Sequence, residues 1–265
     1  MPGGGGIDMG IGGFGCFDTL TYESQGYSLY LDGTDDRVQG NLTTSMFQDF
    51  TADQDWSLKF TFKLDTIGAA QTLCAVGPTS DYIWIVVNTD GKLVLYSVTG
   101  VTSRLTRFWT AGIAADTWYE VVITCDASGT QRALVCYVNA VAKTLHTTNV
   151  STSSTSLLPA SGKVGWGSFF NLVDFDFKLD SIASWSSVLT AGEVTAIHGT
   201  VANPGTPNLT QNQHGYISSQ YLTSYYKFEE GTGTSIADSS GHPGTTALTI
   251  INTSTWSDDT RINPE

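Results

Sequence analysis

Residues 118–139 read WYEVVITCDASGTQRALVCYVN, with β-branched and aromatic residues alternating on both sides of Asp126-Ala127-Ser128-Gly129. That pattern predicts two antiparallel strands joined by a short turn. On the first strand Tyr119, Val121, Ile123 and Cys125 share one face, with Glu120, Val122 and Thr124 on the other. On the second, Leu134, Cys136 and Val138 alternate with Ala133, Val135 and Tyr137. Both faces are fairly apolar, so the hairpin is expected in the middle of a sheet that packs against a second sheet. Each apolar side chain buried there contributes roughly 1.5–3 kcal/mol, enough to decide which face turns inward. Pairing about Ser128-Gly129 puts Cys125 opposite a residue near Arg132 and leaves Cys136 about four residues along the ladder. The resulting separation of roughly 13 Å is beyond disulfide reach, so both cysteines are expected as buried thiols.

Working outward, turn signals recur at Asp32-Gly33, residues 66–70, Gly77-Pro78, Asp90-Gly91, Gly100 and Gly112. Short strands at such intervals are the rhythm of an all-β sandwich. Residues 81–87 (DYIWIVV) and 92–98 (KLVLYSV) flank Asn88-Thr89-Asp90-Gly91 as a second hairpin. Residues 147–156 form a Ser/Thr-rich loop, and 162–170 resume a strand with Trp166 between glycines. One short amphipathic helix is predicted over 191–197. Thr190 as N-cap and Glu193 three residues later make a capping box, and Gly199 supplies the stop.

The central hairpin, with its opening aromatic pair, its Asp and Gly in the turn and its closing Tyr-Val-Asn, resembles the middle of laminin-G-like domains of the concanavalin A-like lectin/glucanase superfamily. Three further segments resemble the same family in the same order. Residues 27–38 (YSLYLDGTDDRV) match its early strand, 56–64 (WSLKFTFKL) its next strand, and 175–197 (FDFKLDSIASWSSVLTAGEVTAI) its last strand and following helix. The chain departs from the pattern at Lys178-Leu179, where the family has a glycine before the residue matching Asp180. Residues 221–256 resemble the piece that opens such a domain, so the family's first part stands last here. The resemblance implies an antiparallel two-sheet jelly-roll sandwich with one short helix.

The expected organisation is a glycine-rich arm at 1–20, a laminin-G-like sandwich at 21–200 and an extended linker at 201–219 that carries Pro204 and Pro207. C-terminal strands at 220–265 then complete the sandwich of the same subunit or of a neighbour, because a lone strand pair is marginal in water. Gly10, Gly12 and Gly15 spell a dinucleotide-type G-x-G-x-x-G, but no strand precedes them and no helix pattern follows. The sequence MPGGGGIDMGIGGFG has no basic segment and no apolar run of secretory length, which predicts no signal peptide and synthesis in a cytoplasm. A net charge of −13 with only 12 Lys and Arg in 265 residues excludes a phosphate backbone or an acidic membrane as the expected partner.

Catalysis finds little support. Glucanases of the superfamily place acidic residues as E-x-D-x-E on one strand, and no such run exists here. Glu229 and Glu230 are adjacent and read as turn or surface charges, and His146, His198, His214 and His242 are isolated. The resemblance implies a calcium site on the sandwich rim, for which Asp35, Asp36, Asp174 and Asp176 are the candidates. Asp32 and Asp35 equally fit as turn formers. Sugar binding needs exposed aromatic faces beside polar groups, and Tyr82, Trp84, Trp109 and Trp166 are the candidates. Two functions follow. One is a non-catalytic structural and attachment protein on the surface of an assembly, a bacteriophage virion component that forms a homo-oligomer and contacts other virion proteins and a surface glycan. The alternative is a carbohydrate-binding module of a secreted or cell-surface bacterial protein.

Overall fold

The computed structural model describes residues 22–23, 26–41, 54–68, 70–77, 81–99, 102–128, 133–149, 162–167, 176–198, 206–252 and 254–260. In chain order the first strands are β1 (Tyr22–Glu23), β2 (Ser28–Asp32), β3 (Arg37–Asn41), β4 (Trp56–Leu64), β5 (Gln71–Gly77), β6 (Asp81–Val87) and β7 (Leu93–Thr99). Then come β8 (Thr102–Trp109), β9 (Trp118–Asp126), β10 (Ala133–Val138), β11 (Val141–Ala142), β12 (Leu145–Asn149), β13 (Lys163–Gly167) and β14 (Asp176–Trp185). The helix α1 (Ala191–His198) is followed by β15 (Thr206–Pro207), β16 (Leu222–Tyr226), β17 (Ser235–Ile236), β18 (Leu248–Ile251) and β19 (Thr255–Ser257).

Two antiparallel sheets carry the fold. One runs β11-β10-β9-β4-β14-β2-β19, with β16 also paired to β14; the other runs β12-β8-β7-β6-β5-β13-β3-β18-β17. Strand β14 is long enough to pair with β2 through residues 176–179 and with β16 through residues 182–185, while β4 lies along its other side. The period of two explains the core between the layers. Leu58, Phe60, Phe62 and Leu64 of β4, Val121 and Ile123 of β9, and Ile83 and Ile85 of β6 all turn inward and are buried.

The part of the outer face of the eight-stranded sheet that lies under α1 is buried as well. A second apolar cluster joins Val122, Ala183 and Trp185 to Val194 and Ile197 of α1 and to Leu209 and Tyr216. The polar groups beneath pair with one another: Ser57 Oγ donates to the Ser187 carbonyl at 2.7 Å, and Ser184 Oγ lies 2.8 Å from Thr223 Oγ1. Satisfied in this way, hydroxyls tolerate burial.

Three expectations need correction. The central hairpin closes at Asp126 opposite Ala133, so Cys125 faces Leu134 and Cys136 faces Ile123, two positions from the expected register. The pairing stops at Asp126 and Ala133, which does not fit a register set about Ser128-Gly129. Cys125 and Cys136 are buried free thiols, as is Cys74. Second, β10 lies next to the two-residue edge strand β11, not in the middle of its sheet, and Val135 is 37% exposed. Third, the end of the stretch expected as an extended linker is packed. Leu209 and Tyr216 are fully buried, and Tyr216 Oη accepts from Trp185 Nε1 at 2.8 Å and donates to the Leu209 carbonyl at 3.0 Å. Two apolar residues in a polar, proline-bearing run are enough to fasten it.

The helix begins as its capping box requires. Glu193 N–H donates to Thr190 Oγ1 at 3.2 Å, and Thr190 N–H donates to Glu193 Oε2 at 3.0 Å. The glycine arm with its G-x-G-x-x-G, and Cys16, lie outside the described residues, as does Gly199. Within this chain the C-terminal strands pair in both layers: β16 with β14, β19 with β2, and β18 with β3. Among the described residues no helix is long and apolar enough to cross a membrane.

Candidate functional site

Of the four aromatic candidates, two are core and two are not. Trp109 stands opposite Leu93 and is 1% exposed; Trp166 stands opposite Val38 and Cys74, is 1% exposed and packs on Phe60 with ring centroids 5.1 Å apart. Both rings face the other sheet, so neither offers a surface to a ligand. Tyr82 and Trp84 alternate with the inward Ile83 and Ile85 and are half-buried on the outer face of the nine-stranded sheet.

The neighbouring strands extend this pair into a stripe. Trp84 stands opposite Tyr96, with centroids 6.0 Å apart, and Phe108 follows on β8 at 6.1 Å from Tyr96. Tyr82 meets Trp84 edge to face at 6.2 Å and 79°. Tilted and T-shaped packing of this kind fixes each ring against the next. Trp84 Nε1 donates to Thr72 Oγ1 at 2.9 Å, which holds the indole at one edge. Burial pushes the Tyr96 hydroxyl above its ordinary pKa, so the group stays a neutral donor and acceptor at physiological pH. Tyr96 was not fixed by the sequence: folding about Asn88-Thr89-Asp90-Gly91 sets Trp84 opposite Leu95, and only the five-residue connection 88–92 sets it opposite Tyr96. Nor was Phe108, because its place depends on the register of a third strand.

The rim acids assemble only in part. Asp176 stands opposite Asp32 at the start of β14, and Asp174 lies outside the described residues. Asp32 Oδ1 accepts the Thr34 N–H at 2.9 Å, a turn-forming bond, and buried Asp36 accepts the Asp32 N–H through Oδ2 at 3.3 Å. Asp35 is exposed in the same turn. Among the described residues no three acidic, histidine or cysteine side chains converge to hold a metal ion. The adjacent glutamates act as loop fasteners, Glu229 accepting the Gly26 N–H at 2.9 Å and Glu230 the Ala237 N–H at 2.8 Å.

Two facing antiparallel sheets and, among the described residues, a single α-helix define a jelly-roll type of sandwich. The sequence profile of the Laminin_G_3 family, described as the concanavalin A-like lectin/glucanases superfamily, matches residues 35–195, more than half of the chain. The chain therefore belongs to that superfamily. Among solved structures, a protein from Bacteroides ovatus ATCC 8483 described as carbohydrate-binding aligns with a TM-score of 0.57 at 13% identity, covering 87% of this chain and 60% of that one. The binding domain of botulinum neurotoxin serotype D aligns at 0.50 and 11% identity, covering 68% and 45%. A Ruminococcus gnavus sialidase carbohydrate-binding module bound to α2,3-sialyllactose aligns at 0.47 and 14% identity, covering 64% and 96%. Among curated proteins none is detectably similar in sequence. At these identities the first two likenesses bear on the fold alone. The chain spans 60% of the Bacteroides ovatus protein's length.

Proposed function

We propose that this chain is a non-catalytic, glycan-recognising module that binds sugar along the stripe of Tyr82, Trp84, Tyr96 and Phe108. The stripe carries the reading: four half-buried rings on three adjacent strands are spaced and braced as a platform for the apolar faces of sugar rings. Thr72 braces it at one edge by accepting from Trp84 Nε1. The carbohydrate-binding description of the Bacteroides ovatus structure supports the same class.

A glycan array on the full chain, followed by titration calorimetry of the best hit, tests the reading. Trp84→Ala is expected to weaken binding at least about tenfold, equivalent to 1.4 kcal/mol. A silent array, or unchanged affinity in the variant, would refute it.

The finer proposal places the module on the surface of an assembly, as a virion attachment component in a homo-oligomer. Its support is the acidic charge of −13, which disfavours nucleic acid and acidic membranes as partners. The alternative setting is a secreted or cell-surface bacterial protein. Native mass spectrometry separates the two: a stable symmetric oligomer favours the first, a monomer the second.

A further inference from the structure

Strand β19 builds a second concavity, on the other sheet. Thr255 stands opposite Tyr30, Tyr30 opposite Lys178, and Lys178 opposite Lys63, so these four share the outer face of the eight-stranded sheet. Beyond Ser257 the chain folds over that face and is tied down. The Asp259 carbonyl accepts from Ser28 Oγ at 2.7 Å, and its carboxylate takes Trp118 Nε1 at 3.0 Å, Lys63 Nζ at 2.6 Å and Lys178 Nζ at 3.1 Å. A pocket of about 580 Å³ opens beside this strap, with Tyr30, Lys178 and Asp65 on the sheet side and Ser257 and Asp258 on the strap side. Its size falls within the range of small-molecule sites. Tyr27 forms another wall, 42% exposed, and its position is set by Gly231. That glycine has φ +63°, and a Cβ there would come within 2.8 Å of the Tyr27 ring.

The charges in the pocket select the ligand. Lys178 is the one cation in its lining, and it is already engaged: 3.5 Å from Asp65 Oδ1, 3.1 Å from Asp259 Oδ2 and 5.6 Å from the Tyr30 ring centroid. Lys63, next in the row, is held by the same Asp259. An anionic ligand would thus meet the carboxylates of Asp65 and Asp258 without an unengaged ammonium to receive it. A polyhydroxylated ring suits the same groups. Its apolar face lies on Tyr27, its hydroxyls donate to the two carboxylates, and Ser257 supplies a hydroxyl.

We infer that this pocket is a second sugar site, specific for an uncharged mono- or disaccharide such as the neutral end of a glycan. The inference rests on the glycan-binding reading but uses the opposite layer and none of the stripe residues. Saturation-transfer NMR on the full chain, with affinities from calorimetry, tests it. The probes are glucose, galactose, mannose and N-acetylglucosamine on one side, and glucuronic acid and N-acetylneuraminic acid on the other. At least one neutral sugar is expected to bind while the acidic sugars do not. In a Trp84→Ala background, which removes stripe binding, Tyr27→Ala is expected to abolish that signal and Asp258→Asn to weaken it at least about fivefold; both sites are exposed, and unchanged thermal unfolding confirms the fold. The signal is expected to survive Trp84→Ala, so loss of stripe binding and loss of pocket binding are separate results. The inference is overturned if no neutral sugar binds, if acidic sugars bind as well as neutral ones, or if neutral-sugar binding in the Trp84→Ala background survives both pocket substitutions.

Discussion

At the scale of single residues, the sheet that carries α1 buries a charged pair. Lys59 Nζ lies 3.4 Å from Glu120 Oε2 with both side chains fully enclosed, and it donates to Ser181 Oγ at 2.9 Å; His198 Nδ1 sits 3.1 Å from Glu120 Oε1. Removing one partner strands the other charge away from water, so Glu120→Ala is expected to destabilise by about 3–5 kcal/mol in urea unfolding. Asp259 makes a pH prediction. Burial raises its carboxyl pKa, but hydrogen bonds from Lys63, Trp118 and Lys178 outweigh that and hold the net value below the usual carboxylate range. A depressed folded-state pKa means the stabilisation is complete above the unfolded-state value and is lost as pH falls through the folded one. Below about pH 4, stability should fall more steeply in the wild type than in Asp259→Asn, as measured by urea midpoints at stepped pH. Such residues mark the limit of sequence reading. Glu120 is visible on the face opposite Tyr119, but nothing local reveals that α1 covers that face. Trp84 and Trp166 both look like candidate platforms, and only the pairing of Trp166 with Val38 and Cys74 sends it inward.

At the scale of elements, α1 shows how a local signal and a distant one meet in one residue. The capping box was legible, and Thr190→Ala is expected to cost about 1 kcal/mol, as for other N-caps. Glu193 also accepts from Ser218 Oγ at 2.5 Å and from the Ile217 N–H at 3.3 Å, tying the helix start to the segment that follows it. Glu193→Ala should therefore cost more, about 2–3 kcal/mol, since a charge-assisted bond is lost with the cap. Equal losses for the two variants in the same denaturation series would contradict this double role. The strands themselves were largely readable. Trp56–Leu64 and Asp81–Val87 lie where alternation and turn residues put them. The register of the central hairpin was misread, because Ser128-Gly129 signals a short turn whereas the pairing stops at Asp126 and Ala133. The packing of Leu209 and Tyr216 was missed for a different reason: two apolar positions seven residues apart give no period.

At the scale of the whole molecule, the C-terminal strands are part of both layers. Ile236, Leu248 and Ile250 are buried in the main core, and Tyr225 and Leu222 in the cluster under α1. Strand β19 and the residues after it close the face where the second pocket opens. The resemblance of residues 221–256 to the opening of a laminin-G-like domain was readable from sequence; the pairing of β16 with the second half of β14 was not, since it depends on where β2 stops. Thermal unfolding of a chain ending at Ser219 tests the account most directly. Without those strands the sheets lose paired edges and the core loses a wall, so aggregation, or a molten species with dye-binding apolar surface and no cooperative transition, is expected. A soluble truncated chain that melts cooperatively near the temperature of the full one would contradict it.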